Sequence, residues 1–221
     1  MKLYGYWRSS CSWRVRIALA LKGADFEAVP VHLVKDGGQH KQVSYREKNP
    51  MQQVPFLEFD SPQRLASGLE LHGLAQSVAI IEYLDELLPQ PPLVGTSAVE
   101  RARVRWLTEM INSGIQPLQN LFVMQELSRV APAVDSKAWS ASFIERGLAA
   151  LETTAGGADS RFLVGNMPSM ADICLVPQLY NARRFSLDLS AYPRLCAIEA
   201  ACFELEAFKL SHPDQQPDAE T

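Results

Sequence analysis

The sequence predicts two domains of unlike class: an α/β domain over residues 1–88 and an all-α domain over residues 98–221, joined by a linker at 89–97. Three observations predict this. The first 88 residues switch between strand-like and helix-like apolar spacing in the order βαβ, short helix, ββα. Pro89-Gln90-Pro91-Pro92 is a stiff break. From 98 to 210 no segment carries a strand pattern.

Composition narrows the class. A chain of 221 residues suits one large domain or two modest ones, and with 47% apolar residues it builds a core without disulfides or metal. The net charge is −4 with both signs interspersed, which argues against a nucleic-acid partner. The four cysteines, Cys11, Cys174, Cys196 and Cys202, show neither CxxC nor zinc spacing and read as reduced thiols. No window approaches the ~18–20 apolar residues of a membrane span, and the first residues lack a signal peptide's apolar core. The expectation is a soluble cytoplasmic protein with no membrane partner and no metal.

Each element has its own signal. Residues 2–7 are an apolar run that reads as the first strand. Val15, Ala18 and Leu19 give residues 11–22 a helical face, and Lys22-Gly23 ends it. Residues 26–33 alternate and read as a second strand, parallel to the first because a helix joins them. Residues 39–47 are polar and read as a short helix. Pro55 precedes an apolar run at 56–59, the next strand; 60–68 reads as a long turn and 69–71 as the returning strand. A helix follows from Gln76-Ser77, with Ile80, Ile81 and Leu84 on its apolar face.

In the second half, 98–129 reads as one long helix kinked at Pro117, and 136–154 as another. Ser169-Met170-Ala171-Asp172 is a capping box ahead of the apolar run at 173–176, so a wholly buried helix is expected there. Tyr192-Pro193 opens a last helix through Cys202. The polar tail after Ser211 reads as frayed or draped.

The chemistry concentrates where the first strand meets the first helix, at Arg8-Ser9-Ser10-Cys11-Ser12. Two hydroxyls and a thiol lie at a helix N-terminus, where unpaired N–H groups and the helix dipole favour an anion, including a thiolate. A serine there is equally an ordinary N-cap. Pro55, if its peptide bond is cis, exposes the backbone of Val54 to an extended ligand. Asp172 reads as part of a fold-stabilising cap rather than a catalytic acid. His32, His72 and His212 have no ligand spacing.

Ser9-Ser10-Cys11-Ser12-Trp13-Arg14-Val15-Arg16 resembles the signature of the zeta class of glutathione transferases, the maleylacetoacetate isomerases. Residues 49–55, 76–84, 114–121, 175–178, 181–185 and the tail at 211–218 are similar to that class in order and context. The resemblance implies a thioredoxin-like first domain, glutathione as cofactor and a homodimer. It places Ser9, Ser10 and Cys11 around the glutathione sulfur, with Ser9 as the leading donor. It gives Val54, beside cis-Pro55, the cysteinyl backbone, and Gln76 and Ser77 the γ-glutamyl carboxylate. Gln116 and Asn120 would contribute from the helical domain. Arg8 and Arg184 would take the carboxylates of a small diketo-acid substrate; Arg14 and Arg16 read as structural, with the alternative that one of them adds positive potential to the cleft. The chain departs from the pattern at His40, where the family often has Gln, and in an insertion over 60–75.

The activity so implied is cis–trans isomerisation of maleylacetoacetate to fumarylacetoacetate in tyrosine and phenylalanine breakdown. A thiolate adds to the alkene, the bond rotates as an enolate forms, and the thiolate leaves. Maleylpyruvate isomerisation uses the same chemistry, and transfer to α-halo acids is a further alternative. A thioredoxin-type redox role needs a second cysteine where Arg14 stands. A non-enzymatic module predicts loss of Gln76-Ser77 or of the hydroxyls at 9 and 10, and all are present.

Overall fold

The computed structural model describes residues 1–157 and 160–220. The chain forms two compact units: Met1–Pro91 together with the segment from Glu206 on, and Pro92–Leu205. The tail expected with the helical half is thus grouped with the α/β half.

The first unit is built on a four-stranded mixed sheet in the order β2-β1-β3-β4. β1 (Lys2–Gly5) pairs in parallel with β2 (Glu27–Pro30), and antiparallel with β3 (Phe56–Arg64), which pairs antiparallel with β4 (Glu70–Ala75). β2 is shorter than the alternation at 26–33 suggests. It is an edge strand that ends at a proline, where one missing N–H costs the ladder least.

The insertion is a hairpin, not a long turn. β3 continues to Arg64 and β4 starts at Glu70, with a turn closed by Gly68 N–H donating to Leu65 O at 2.9 Å. Register slips between Glu58 and Gln63. Both faces of β3 beyond Phe59 are exposed, so no hydrophobic alternation announces its extension to Arg64. Gly73 is required by close approach: a Cβ there would lie 2.3 Å from Leu57 O.

α1 (Ser10–Leu21) is buried along most of its length, with Val15, Ile17, Ala18 and Leu19 fully enclosed. α2 (Val43–Lys48) is short, preceded by a 3-10 turn at Gln39–Lys41. α3 (Ser77–Leu87) buries Ile80, Ile81 and Leu84. Buried Lys22 closes the far end of α1, donating at 2.6 Å to Asp85, Leu88 O and Pro91 O. A buried ammonium is tolerated because its three protons are all placed.

In the second unit α4 (Ala98–Asn112) and α5 (Leu121–Val130) replace the single kinked helix expected over 98–129. Pro117 lies in a 3-10 turn at Gln116–Gln119, so the proline breaks the helix outright. α6 (Ser136–Thr154) matches its expected span. α7 (Met170–Arg184) is buried through most of its length, as the run after Asp172 implied, and the Gln119 and Gln178 amides pair inside the unit. Glu152 of α6 caps α8 (Pro193–Phe203), accepting from Arg194 N–H at 2.9 Å and Leu195 N–H at 3.0 Å. α9 (Glu206–Leu210) returns to the first unit. Among the described residues no helix is long and apolar enough to cross a membrane.

Candidate active site

Strand register gathers three connecting segments at one end of the first unit's sheet. Tyr4 of β1 pairs with Phe56 of β3, which pairs with Ala75 of β4. At this row the chain leaves β1 toward residues 6–11, enters β3 from 52–55, and leaves β4 into Gln76-Ser77. Ser9, Ser10, Cys11, Val54, Pro55, Gln76 and Ser77, far apart in sequence, therefore share one end of the sheet.

The β1–α1 turn is tightly folded. Ser9 N–H donates to Tyr6 O at 3.0 Å, and Tyr6 N–H donates to Ser12 Oγ at 3.3 Å. Gly5 permits this fold, since a Cβ there would meet Ser12 Oγ at 3.1 Å. Ser9 is the N-cap, its Oγ accepting from Ser12 N–H at 3.3 Å. Because that oxygen accepts, its own proton is not used in the cap. The first turn of α1 contains no acidic side chain, so the positive helix end is not neutralised from within. Ser10 is buried and Cys11 half-buried.

The Val54-Pro55 peptide is cis, as the ligand-edge reading required. Gln53 O accepts from Tyr45 Oη and Asn49 Nδ2, each at 2.7 Å, and burial pushes the Tyr45 phenol up. The Val54 N–H and C=O have no hydrogen-bond partner among the described residues. Gln76 has φ 71°, a left-handed conformation that a non-glycine residue holds only when its surroundings impose it. Its Nε2 donates to Gln53 Oε1 at 3.4 Å, tying two of the segments together. Ser77 is buried, and its Oγ accepts from Arg14 Nη1 at 3.4 Å. Arg14, read from sequence as structural, thus delivers a buried guanidinium to the N-terminus of α3. No sequence period marks that contact.

The remaining expected residues are Arg8, His40, Gln116, Asn120 and Arg184. Arg8 lies half-buried with its guanidinium 5.0 Å from the Trp7 ring centroid. His40 is in the 3-10 turn before α2. Burial, then the Lys41 charge, hold its imidazole below the ordinary value. Its neighbour Gln39 is committed to structure, accepting from His32 N–H at 2.8 Å. Gln116, Asn120 and Arg184 belong to the second unit. There Asn120 caps α5, accepting from Phe122 N–H at 3.0 Å, and exposed Arg184 donates to Asn181 at 3.2 Å. Asp172 is fully buried, accepting at 2.8 Å from Leu163 N–H, Ser169 N–H and Ser169 Oγ. It is a cap, as its spacing implied.

Residues 1–86 match the glutathione S-transferase N-terminal domain and residues 138–197 the C-terminal domain. A holo structure of maleyl pyruvate isomerase, a bacterial zeta-class glutathione S-transferase, superimposes with a TM-score of 0.90 at 39% identity, covering 100% of both chains. A maleylacetoacetate isomerase of Rattus norvegicus is 47% identical over 98% of this chain and 94% of its own. The chain belongs to the zeta class of the glutathione S-transferases. A further zeta-class relative, the maleylacetoacetate isomerase of Anaeromyxobacter dehalogenans 2CP-1, has glutathione bound in its active site. It is 47% identical with a TM-score of 0.85, covering 99% of this chain and 97% of that one.

The first unit's donor set fits the glutathione this class uses. Val54 offers a backbone edge without internal partners, as an extended tripeptide needs. The starts of α1 and α3 carry hydroxyls and no acidic residue in their first turns, as a thiolate and a carboxylate need.

Proposed function

We propose that the protein isomerises maleylacetoacetate to fumarylacetoacetate in the cytoplasm, as a homodimer, in tyrosine and phenylalanine breakdown. The observation that carries the site reading is the meeting of Ser9, Val54 and Ser77 at one end of the sheet. Kinship with maleylacetoacetate isomerases supports the choice of substrate.

Glutathione, when bound, supplies the thiolate whose reversible addition to the substrate alkene frees rotation about that bond. The residues of the chain do the rest. Ser9 Oγ directs its proton at the sulfur and keeps it ionised, with Ser10 and Cys11 beside it. Val54 orients the peptide through its backbone, with cis-Pro55 fixing the edge. Gln76, Ser77 and the first N–H groups of α3 hold the γ-glutamyl carboxylate, and Arg14 behind Ser77 adds positive potential. Arg8 takes a substrate carboxylate through its two-pronged guanidinium. His40 is assigned to the glycyl end. For Gln116, Asn120 and Arg184 the assignment to ligand contacts rests on the resemblance alone.

The test is an absorbance assay on purified protein with maleylacetoacetate and with maleylpyruvate, each with and without glutathione. Turnover of maleylacetoacetate only in the presence of glutathione is expected. Turnover without glutathione overturns the mechanism, and a clear preference for maleylpyruvate overturns the substrate.

A further inference from the structure

β1 ends at Gly5, and α1 begins at Ser10. Trp7 lies between them, buried, where no ladder or helix supplies partners to its backbone. Buried backbone groups must find partners elsewhere. Trp7 N–H donates to Asp218 Oδ2 at 3.1 Å, across a separation of 211 residues. Trp7 O accepts from Arg16 Nη2 at 2.8 Å. One residue is therefore gripped on both sides, by a carboxylate from the C-terminal tail and by a guanidinium from α1. Arg16 also donates through Nε to Ser211 O at 3.3 Å, so the same side chain ties down the tail.

The tail is itself fixed. The His212 ring meets Trp13 edge-on at 5.2 Å, and Gln216 Nε2 donates to Leu210 O at 3.1 Å and to His212 O at 2.9 Å. Glu220 pairs with Lys35. Burial lowers Arg16 to about 10, while the Asp218 charge acts in the opposite direction.

We propose that Asp218 is a positioning residue for the sulfur site: with Arg16 it clamps the backbone of Trp7 and so fixes the turn that carries Arg8 and Ser9 into the start of α1, where Cys11 lies. This rests on the glutathione-dependent reading above. Loss of the Asp218 carboxylate leaves the Trp7 N–H buried without an acceptor, and the loop relaxes to rehydrate it. The amide of Asp218→Asn retains an acceptor oxygen and preserves most of the clamp.

The test compares wild type with Asp218→Ala, Asp218→Asn and Glu220→Ala. Amide hydrogen exchange over residues 6–12 is followed without glutathione, together with glutathione affinity by calorimetry, the pH profile of bound-thiolate absorbance, and Tm. For Asp218→Ala the expected result is exchange at Trp7 about tenfold faster and glutathione affinity about tenfold weaker, the worth of one charge-assisted hydrogen bond. The thiolate profile shifts to higher pH, and Tm changes by no more than a few degrees. Asp218→Asn recovers most of the affinity, and Glu220→Ala stays at wild-type values. Unchanged exchange at Trp7 in Asp218→Ala overturns the proposal. So does faster exchange spread uniformly with a large fall in Tm, or an equal effect from Glu220→Ala. Wild-type protein that binds no glutathione overturns the functional reading instead, and the exchange measurement still decides the clamp.

Discussion

The helices α1 and α7 both begin on a serine N-cap, and they use it in opposite ways. At α7, Asp172 stands three residues after Ser169, and its carboxylate takes the Ser169 N–H, the Ser169 hydroxyl and Leu163 N–H. The helix start is filled by an anion from the same chain. At α1, the residue three after Ser9 is Ser12, whose hydroxyl is turned to Tyr6 N–H. No acidic side chain occupies the first turn of α1. The same dipole and the same unpaired donors yield a structural lock where an internal carboxylate is supplied. Where none is supplied, the helix start keeps its positive end un-neutralised from within, which is what the proposed thiolate site requires.

Emptying the filled cap has the largest expected effect. Asp172→Ala leaves three buried donors without an acceptor and should cost about 3–5 kcal/mol, lowering Tm by roughly 10 °C in a calorimetric melt. Glutathione affinity of the protein that remains folded should be unchanged. A melt within a degree of wild type would break the contrast between the two helix starts.

Titration gives the next effect. Burial raises the Asp172 carboxyl from 3.8 to about 6, against the pull of its hydrogen-bond donors. Between those values the folded chain keeps a proton that the unfolded chain has released. This contribution therefore favours folding on the acid side and fades as pH rises through about 6, by up to about 3 kcal/mol. Denaturant unfolding of wild type and Asp172→Asn across pH 4–7 should show that slope only in the wild type.

The open cap responds in catalysis more than in stability. Ser9→Ala should lower kcat/KM about 100-fold in the isomerase assay, the usual loss for one preorganised donor to a developing or held anion. The same change should cost only about 0.5–1 kcal/mol of stability, since the cap bond is long. An unchanged rate moves the sulfur-holding role to Ser10 or Cys11.

Legibility followed burial. The α1 and α7 starts were readable because a cap is local chemistry, with donor and acceptor within four residues. The sequence shows both arms of the β3–β4 hairpin but not their length, because β3 beyond Phe59 is solvated on both faces and no alternation records it. Pro117 announced a disturbance but not its size: the sequence does not say whether packing will hold a kinked helix together, and here the chain turns instead. Arg14 and Arg16 read as structural in the sequence because helical spacing says only which side a residue faces. Their partners, Ser77 and Trp7 O, come from elements that the spacing does not identify.

The sequence by itself determined the two domain classes, the cap chemistry at Ser9 and Ser169, and the proline that opens the run of β3. Each follows from interactions within a few residues. Only the tertiary structure decided which segments meet. The Tyr4–Phe56–Ala75 row brings Ser9, Val54 and Ser77 to one end of the sheet, because strand register is set by pairing between distant segments. The partner of Trp7 N–H lies at Asp218, because a buried amide beyond the end of its strand must take whatever acceptor the fold delivers.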